Sequence, residues 1–259
     1  MRSGYKTTVF YIWGTAALGG LLFGLDQGFI ANSLDTIRKV YGLDIRSAEH
    51  YSSILATGGV IGALLSGLLA RYLGRKRSLV LSGFIFCASS LVSALLPPLA
   101  VMYVCRFLLG FAIGIASFIV PLYLSETAPA SIRGAMGTLF QLLITIGIFL
   151  ISLTNFIIAQ WISSPETALP LMFSVIVVFA GLMFAGSLFL PESPRWLMLK
   201  GRKDEATAVL QKTLNTPEDV LREIHDMEAT LGRRGFRIGN LLKGYFIKIL
   251  LVGIFLQVF

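Results

Sequence analysis

Six runs of apolar residues, each close to twenty residues or longer, constrain this chain more than any other feature of its sequence. A helix needs about 20 mainly apolar residues to cross the hydrocarbon core of a bilayer. The runs cover residues 8–34, 51–70, 79–96, 99–124, 135–158 and 169–190. A seventh begins near Gly244 and continues to Phe259. The sequence therefore predicts an all-α polytopic membrane protein with six complete spanning helices and the start of a seventh.

The composition supports a protein that is embedded in a bilayer. Hydrophobic residues make up 55% of the chain and charged residues only 14%, whereas a soluble domain contains about 25% charged residues. The net charge of +8 could indicate a nucleic-acid partner in a soluble protein. Here we interpret it as basic loops beside anionic lipid headgroups, so we expect a lipid bilayer and no nucleic acid as partner.

Residues that carry enzyme or metal chemistry do not form a recognisable pattern. Cys87 and Cys105 lie within apolar runs, which predicts buried thiols rather than a disulfide or a metal site. His50 and His225 are far apart, and the sequence has neither a CxxC nor an HExxH motif. No nucleophile–base arrangement or phosphate-cradling loop is evident. We expect no metal, no cofactor and no enzyme activity.

Basic residues are distributed unevenly between the predicted loops. With a cytoplasmic N-terminus, 18 of the 22 lysine and arginine residues lie on the cytoplasmic side. Cytoplasmic loops carry an excess of basic residues, so the sequence predicts this orientation in the cell inner (plasma) membrane. The first apolar run is too long for a cleaved signal peptide and lacks a small-residue cleavage motif, so we expect a spanning helix there.

The polar and apolar segments predict three regions. Residues 1–192 are expected to form a six-helix bundle, residues 193–243 a cytoplasmic region of two or three short amphipathic helices, and residues 244–259 the start of helix seven. One short helix is expected to begin after Thr216, with Pro217 at its first position. A simple linker over residues 193–243 is the alternative.

Small residues recur at three- and four-residue spacing within the apolar runs, which permits close contact between helix backbones in lipid. The segment GGLLFGLDQGFI of the first run weakly resembles RFLLGFAIGIASF of the fourth. This similarity hints at a repeat of three helices, a plan that is common among transporters.

Two charged residues interrupt the apolar runs. Asp26 lies about 27 Å along the first helix at about 1.5 Å per residue, and Arg106 lies about seven residues into the fourth. Both are expected in the outer half of the membrane. A charge at a helix centre costs about 2.5–3.5 kcal/mol. Two opposite charges that face each other offset that cost. Our hypothesis is a proton site in which Asp26 gains and loses a proton and Arg106 favours its ionised form. The alternative is a static ion pair that only fixes helix packing.

Gln141 is the next polar residue inside an apolar run. Its amide offers donors and an acceptor, which suit sugar hydroxyls or, equally, a hydrogen bond to a neighbouring helix. Weaker polar candidates are Thr145 and Asn155. The aromatic rings that could stack on a sugar face are those of Phe23, Phe140 and Trp161, although most aromatic residues here must face lipid or core.

Charged segments lie where helix ends meet on the predicted cytoplasmic side. They read RYLGRKR (71–77), SETAPASIRG (125–134) and PESPRWL (191–197). The second and third each carry an acid and a base a few residues apart. They could form ion pairs that hold one face of a bundle shut and break when it opens. Positive-inside anchoring with helix capping is the alternative.

The segments GGLLFGLDQGFI, GLLARYLGRKRS, PLYLSETAPASIRGAM, FQLLITIGI and PESPRWL together resemble the sugar porter family of the major facilitator superfamily. Within that family the similarity is closest to bacterial galactose–proton symporters. Five motifs in the right order cover essentially the whole chain, so the resemblance is highly specific. It implies twelve helices in two six-helix halves with a sugar site between them, of which this chain supplies the N-terminal half.

The resemblance also implies roles for individual residues. By analogy Asp26 is the protonatable carboxylate and Arg106 its partner, while Gln141 binds sugar and Phe23 lies beside the site. A cytoplasmic charge network that stabilises the outward-facing state is implied for Arg75, Glu126, Arg133, Glu192 and Arg195. The implied partners are a monosaccharide, a proton, the bilayer and the C-terminal half, either in the same full-length chain or as a separate partner.

Two features depart from the family pattern. Arg71 and Tyr72 stand where the family often has an acid and a base before xGR. The chain also stops at GIFLQVF, before the glutamine-rich part of helix seven that supplies most sugar contacts in the family. We expect transport of a hexose or pentose, by proton symport and alternating access. The alternatives are a truncated, non-transporting half that acts as a sensor or assembly partner, and a homodimer of halves.

Overall fold

The structure is a computed structural model that describes residues 7–128, 132–214 and 216–231. These residues form nine α-helices and no β-strand. The helices are α1 (Thr7–Tyr41), α2 (Ile45–Tyr72), α3 (Arg75–Ala94), α4 (Leu99–Thr127), α5 (Arg133–Trp161), α6 (Pro165–Leu188), α7 (Pro194–Leu199), α8 (Lys203–Thr213) and α9 (Pro217–Leu231). By length and composition, α1 to α6 can each cross a membrane. The predicted all-α polytopic class is confirmed.

The chain divides into two compact units, residues 1–220 and 221–259. The first contains α1 to α8 and the beginning of α9, and the second contains the rest of α9. Helices α7, α8 and α9 lie within residues 194–231, part of the region for which the sequence predicts two or three short amphipathic helices. Helix α9 begins at Pro217, as predicted, and the backbone N–H of Asp219 donates to the Thr216 hydroxyl at 3.2 Å. The predicted seventh spanning helix lies outside the described residues.

Two predicted helix ends differ from the structure by six or seven residues, more than any other predicted end. Helix α1 continues past residue 34 to Tyr41 and stops before Gly42, whose φ of 63° lies in the left-handed region that glycine favours. Helix α2 begins at Ile45 rather than residue 51, because Asp44 caps it by accepting from the Ser47 N–H at 3.1 Å. Hydrogen bonds from Ser47 also hold the pKa of the Asp44 carboxyl below its usual value. A prediction from polarity alone ends each helix where its apolar run ends, whereas both helices continue beyond their runs.

Helices α1 and α4 form the centre of the first unit. Helix α5 packs along α1, and α2 packs along α4. Helix α6 packs on α1, α3 packs on α4, and α3 and α6 also contact each other. The arrangement of α1, α2 and α3 is thus repeated by α4, α5 and α6.

The repeat extends to individual glycine contacts. A Cβ atom on Gly24 of α1 would collide with the Ile144 carbonyl of α5, and one on Gly110 of α4 would collide with the Leu55 carbonyl of α2. The reciprocal contacts match as well: Gly147 of α5 lies against the Leu21 carbonyl, and Gly58 of α2 lies against the Phe107 carbonyl. The weak similarity between the first and fourth apolar runs therefore reflects equivalent helix crossings, where glycine allows the backbones to touch.

Replacing Gly24 with alanine is expected to lower the free energy of unfolding by about 1–3 kcal/mol, because the new methyl group meets backbone that cannot move aside. Thermal unfolding of the purified protein in detergent measures the change. Gly14→Ala is the matched control, since Gly14 lies on the same helix and a methyl group added there would meet no atom within 4 Å. Equal losses in the two variants would contradict the contact as the cause.

Candidate functional site

The two charges within the membrane-spanning helices meet in the structure. Arg106 on α4 donates from Nη1 to Oδ1 of Asp26 on α1 at 2.8 Å. Both side chains are 0% exposed. Two buried charges in a low-dielectric interior are stable only when they compensate each other, because each alone carries a desolvation penalty of several kcal/mol. The structure therefore brings Asp26 and Arg106 together as a buried ion pair between the two helices.

The pair is held by one hydrogen bond rather than by the two that a carboxylate and a guanidinium can form. Within the described residues, Oδ2 of Asp26 and both Nε and Nη2 of Arg106 are buried without a hydrogen-bond partner. The ring of Tyr51 on α2 lies beside the guanidinium, with 5.8 Å between its centroid and Cζ of Arg106. Sequence reasoning missed Tyr51, because a single tyrosine in an apolar helix carries no motif.

Gln141 on α5 and Phe23 on α1 lie at similar levels along two neighbouring helices. Gly24 contacts Ile144, so Phe23 on α1 and Gln141 on α5 differ by about one helical turn or less. Gln141 is exposed and Phe23 is half-buried. The Gln141 amide makes no hydrogen bond to any residue that the structure describes, so the interhelical hydrogen bond considered for it is not present there.

Helix α5 carries a polar stripe on its exposed surface. Helical periodicity places Thr138, Thr145 and Ser152 on the same side of α5 as Gln141. Asn32 of α1 reaches this stripe and donates to the Ser152 hydroxyl at 3.0 Å. Five exposed apolar residues of α5 lie on the adjoining side of the helix, namely Leu142, Ile146, Phe149, Leu153 and Ile157. The exposed residues Ile148 and Phe156 lie on the side of the stripe. The adjoining side therefore suits lipid, whereas the side of the stripe is mixed and offers Gln141 and the hydroxyl groups to a polar ligand or water.

The remaining polar and aromatic candidates on α5 differ from Gln141 in burial or in position along the helix. Asn155 is buried, and its amide has no hydrogen-bond partner in the described part of the chain. Trp161 is 84% exposed at the end of the helix. Phe140 packs against Gly20. None of these three shares the exposed position of Gln141.

At the predicted cytoplasmic end, Arg75 and Glu126 form a buried two-point ion pair. Arg75 Nε donates to one Glu126 carboxylate oxygen at 2.8 Å and Nη2 donates to the other at 2.7 Å. Arg75 Nη1 also donates to the Ala70 carbonyl at 3.1 Å. The Ser193 hydroxyl donates to Glu126 at 2.5 Å. These contacts join the beginning of α3 to the end of α4 and to the segment that precedes α7.

Glu192 acts as the N-terminal cap of α3. One of its carboxylate oxygens accepts from the backbone N–H groups of Arg75, Lys76 and Ser193 at 2.8, 3.0 and 2.9 Å. The residue that precedes α3, Gly74, has a φ of 92°, and a Cβ atom there would meet the Glu192 carboxylate. A negative charge at a helix N-terminus is stabilised by the unpaired N–H groups and the helix dipole.

The remaining members of the cytoplasmic charge network are Arg195 and Arg133. Arg195 is exposed and forms no ion pair with any residue in the described ranges, so the structure does not bring it to Arg75, Glu126 or Glu192. Arg195 lies on the exposed side of α7, whereas its neighbours Pro194 and Trp196 are buried. The Arg133 side chain lies outside the described residues.

Sequence reasoning missed Ser193, although serine before proline is a common helix cap. The Ser193 hydroxyl also accepts from the Trp196 N–H at 3.3 Å.

Arg75→Lys is expected to lower the free energy of unfolding by about 1–3 kcal/mol, since lysine keeps the charge but loses the guanidinium fork. Arg195→Lys, an exposed arginine on the same side, is the matched control and should change it by less than about 0.5 kcal/mol. Thermal or denaturant unfolding in detergent measures both. A loss of similar size in both variants would show that the fork is unimportant.

Comparison with known proteins identifies the family. The family model for sugar (and other) transporters matches residues 13–259. The galactose-proton symporter of Escherichia coli K12 is 40% identical over 226 residues, which cover 87% of this chain and 48% of that protein. The arabinose-proton symporter of the same organism is 39% identical over 216 residues, which cover 83% and 45%. The chain spans about half the length of the curated relatives it matches.

Solved structures agree with this assignment. The major facilitator superfamily proton:xylose symporter XylE bound to 6-bromo-6-deoxy-D-glucose is 27% identical, with a TM-score of 0.81 over 91% of this chain and 55% of that one. The inward-open xylose transporter XylE from E. coli gives a TM-score of 0.76 over 90% and 59%. The chain therefore belongs to the sugar (and other) transporter family within the major facilitator superfamily, a family of multi-pass membrane transporters rather than enzymes.

Proposed function

We propose that the complete protein moves a monosaccharide, a hexose or pentose, across the bacterial inner membrane together with a proton. The observation that carries this proposal is the fully buried ion pair of Asp26 and Arg106, which leaves one Asp26 oxygen without a partner among the described residues. Its relatives named as galactose-proton and arabinose-proton symporters support both the sugar and the proton. The proposed orientation has a cytoplasmic N-terminus, following the distribution of basic residues.

Asp26 is the proposed proton carrier. In the ionised state its charge compensates that of Arg106, and Oδ2 is available to accept a proton. Protonation removes the Coulomb attraction between α1 and α4, which in a buried site is much stronger than in water. The two central helices can then change their relative position. Release of the proton restores the attraction and the original packing.

Sugar is proposed to bind on the exposed polar stripe of α5 and the adjoining surface of α1. Gln141 can donate to and accept from hydroxyl groups, and the Phe23 ring can pack on the apolar face of a pyranose. The C-terminal half, whether in the same full-length chain or as a separate partner, is proposed to close this surface from the other side. Alternating access then follows from rocking of the two halves around the site.

The cytoplasmic charge network is proposed to stabilise the state that is closed to the cytoplasm. Arg75 and Glu126 supply its buried ion pair, Glu192 caps the helix that begins at Arg75, and Ser193 is an additional member. Arg133 and Arg195 are proposed to contribute from the periphery. Opening toward the cytoplasm requires breaking these contacts, so their strength sets the balance between the two states.

Asp26→Asn in the full-length protein is expected to abolish accumulation of sugar against a gradient, because asparagine cannot carry the proton. Exchange of sugar across the membrane with no gradient should persist. Uptake into proteoliposomes, with and without a proton gradient, distinguishes the two activities. Asp35→Asn is the matched control, since Asp35 is exposed on the same helix and pairs only with Arg38 among the described residues.

If Asp26→Asn still concentrates sugar, the ion pair is static and the coupling role is wrong. If Asp35→Asn loses accumulation as well, the effect does not come specifically from the buried carboxylate.

Gln141→Ala is expected to raise the KM for sugar about tenfold, because one charge-neutral hydrogen bond to a bound ligand contributes about 1.4 kcal/mol. Gln160→Ala provides the control, as Gln160 is also exposed but lies near the end of α5. Initial uptake rates over a range of sugar concentrations give both values. An unchanged KM in Gln141→Ala would remove Gln141 from the sugar site.

A further inference from the structure

We propose that Tyr51 is a positioning residue that holds the Arg106 guanidinium in its one-bond contact with Asp26 and so keeps Asp26 Oδ2 free to accept a proton. The inference rests on the proposed proton site. It goes beyond that site in assigning to α2 a residue that controls how the pair is arranged.

The first observation is the incomplete use of the guanidinium. Arg106 has five N–H donors, yet within the part of the chain that the structure describes, only Nη1 finds a protein acceptor, Asp26 Oδ1. An isolated arginine and carboxylate tend to form two parallel hydrogen bonds. Something other than Asp26 must therefore hold the guanidinium in its observed orientation.

The second observation is the aromatic ring beside it. The Cζ atom of Arg106 lies 5.8 Å from the Tyr51 ring centroid, and Tyr51 is only 1% exposed. The negative face of an aromatic ring attracts a guanidinium, and the attraction is strongest where water is excluded. Tyr51 and Asp26 thus act on the same cation from different helices.

The ring itself is held in place. Tyr51 packs edge-on against Tyr103 of α4, with 5.6 Å between centroids and an interplanar angle of 74°. Tyr103 is anchored by its hydroxyl, which donates to the Ser47 carbonyl at 3.1 Å. Because Tyr103 precedes Arg106 by about one helical turn, the packing of α2 on α4 fixes the ring and the guanidinium together.

The consequence concerns proton uptake. With the ring present, ionised Asp26 receives one hydrogen bond. Without its attraction, the guanidinium is free to turn and offer a second N–H to Oδ2, which stabilises ionised Asp26 and disfavours its protonated form. The other titratable groups near this cluster are Tyr41 of α1, Cys105 and Tyr103 of α4, and His50 of α2.

The test replaces the ring without changing its shape. Tyr51 is exchanged in the full-length purified protein for phenylalanine and then for phenylalanines with increasing numbers of ring fluorines, which weaken the negative ring face. The infrared band of a protonated carboxyl group is followed against pH, and Asp26→Asn identifies the component that belongs to Asp26.

Tyr51→Phe should retain the midpoint of this titration. Increasing fluorination should move it stepwise toward acid, by up to about one pH unit, which is a tenfold change in proton concentration. Tyr51→Leu should reach the same limit, and the fluorinated series remains informative if that variant does not fold. His50→Gln, with a midpoint like that of the unsubstituted protein, separates the effect from titration of His50.

An unchanged midpoint across the fluorinated series would overturn the inference, as would a shift in Tyr51→Phe equal to that in Tyr51→Leu. The measurement needs no sugar and no transport. If Asp26→Asn still concentrates sugar in proteoliposomes, the proposed function fails while the infrared titration still reports whether Tyr51 controls the pair.

Discussion

The close contact of helix backbones at glycine is the constraint on which the rest of this structure depends. Inside a bilayer there is little hydrophobic driving force between helices, so packing must come from close approach. Gly24 and Gly147 bring α1 and α5 together, and Gly110 and Gly58 do the same for α4 and α2. The contacts between α4 and α2 fix the register in which Arg106 meets Tyr51, and Gly19 of α1 lies against the Val120 side chain of α4. A side chain at Gly110 or Gly58 would move Tyr51 relative to Arg106.

The two buried ion pairs among the described residues differ in how completely their hydrogen-bonding groups are satisfied. Arg75 and Glu126 use two parallel hydrogen bonds, with further ones to Ala70 and Ser193. Arg106 and Asp26 use a single hydrogen bond, although both are more deeply buried. A fully bonded buried pair is rigid, whereas one with free donors and acceptors has a second arrangement available. The difference fits the proposed functions, in which the first pair stabilises one closed state and the second changes with protonation.

Sequence reasoning reached the fold and the charged pair but not the details around them. Apolar length predicts a spanning helix directly, and an aspartate and an arginine at similar depth have few other ways to be stable. Helix ends were less predictable, because the Asp44 cap and the conformation of Gly42 decide them rather than polarity. Tyr51 could not be identified, since its importance comes from a packing contact between helices that are distant in sequence. Arg195 shows the reverse case, because its motif implies a place in the network, whereas its side chain is exposed and forms no ion pair within the described ranges.

Helix α4 links the two charged regions physically. Arg106 and Glu126 are both on it, and twenty residues of α-helix place them about 30 Å apart. The Tyr123 hydroxyl of the same helix donates to the Pro191 carbonyl at 2.8 Å, next to the Glu192 cap. Pro121 lies inside α4 between these regions, and an internal proline removes a helix hydrogen bond and allows bending. A change in the attraction between Arg106 and Asp26 therefore acts on a helix whose other end carries Glu126. Movement of α4 against α1 would also strain the contact between Glu126 and Arg75. In the proposed mechanism, α4 is therefore the element that connects protonation of Asp26 with the ion pair of Arg75 and Glu126.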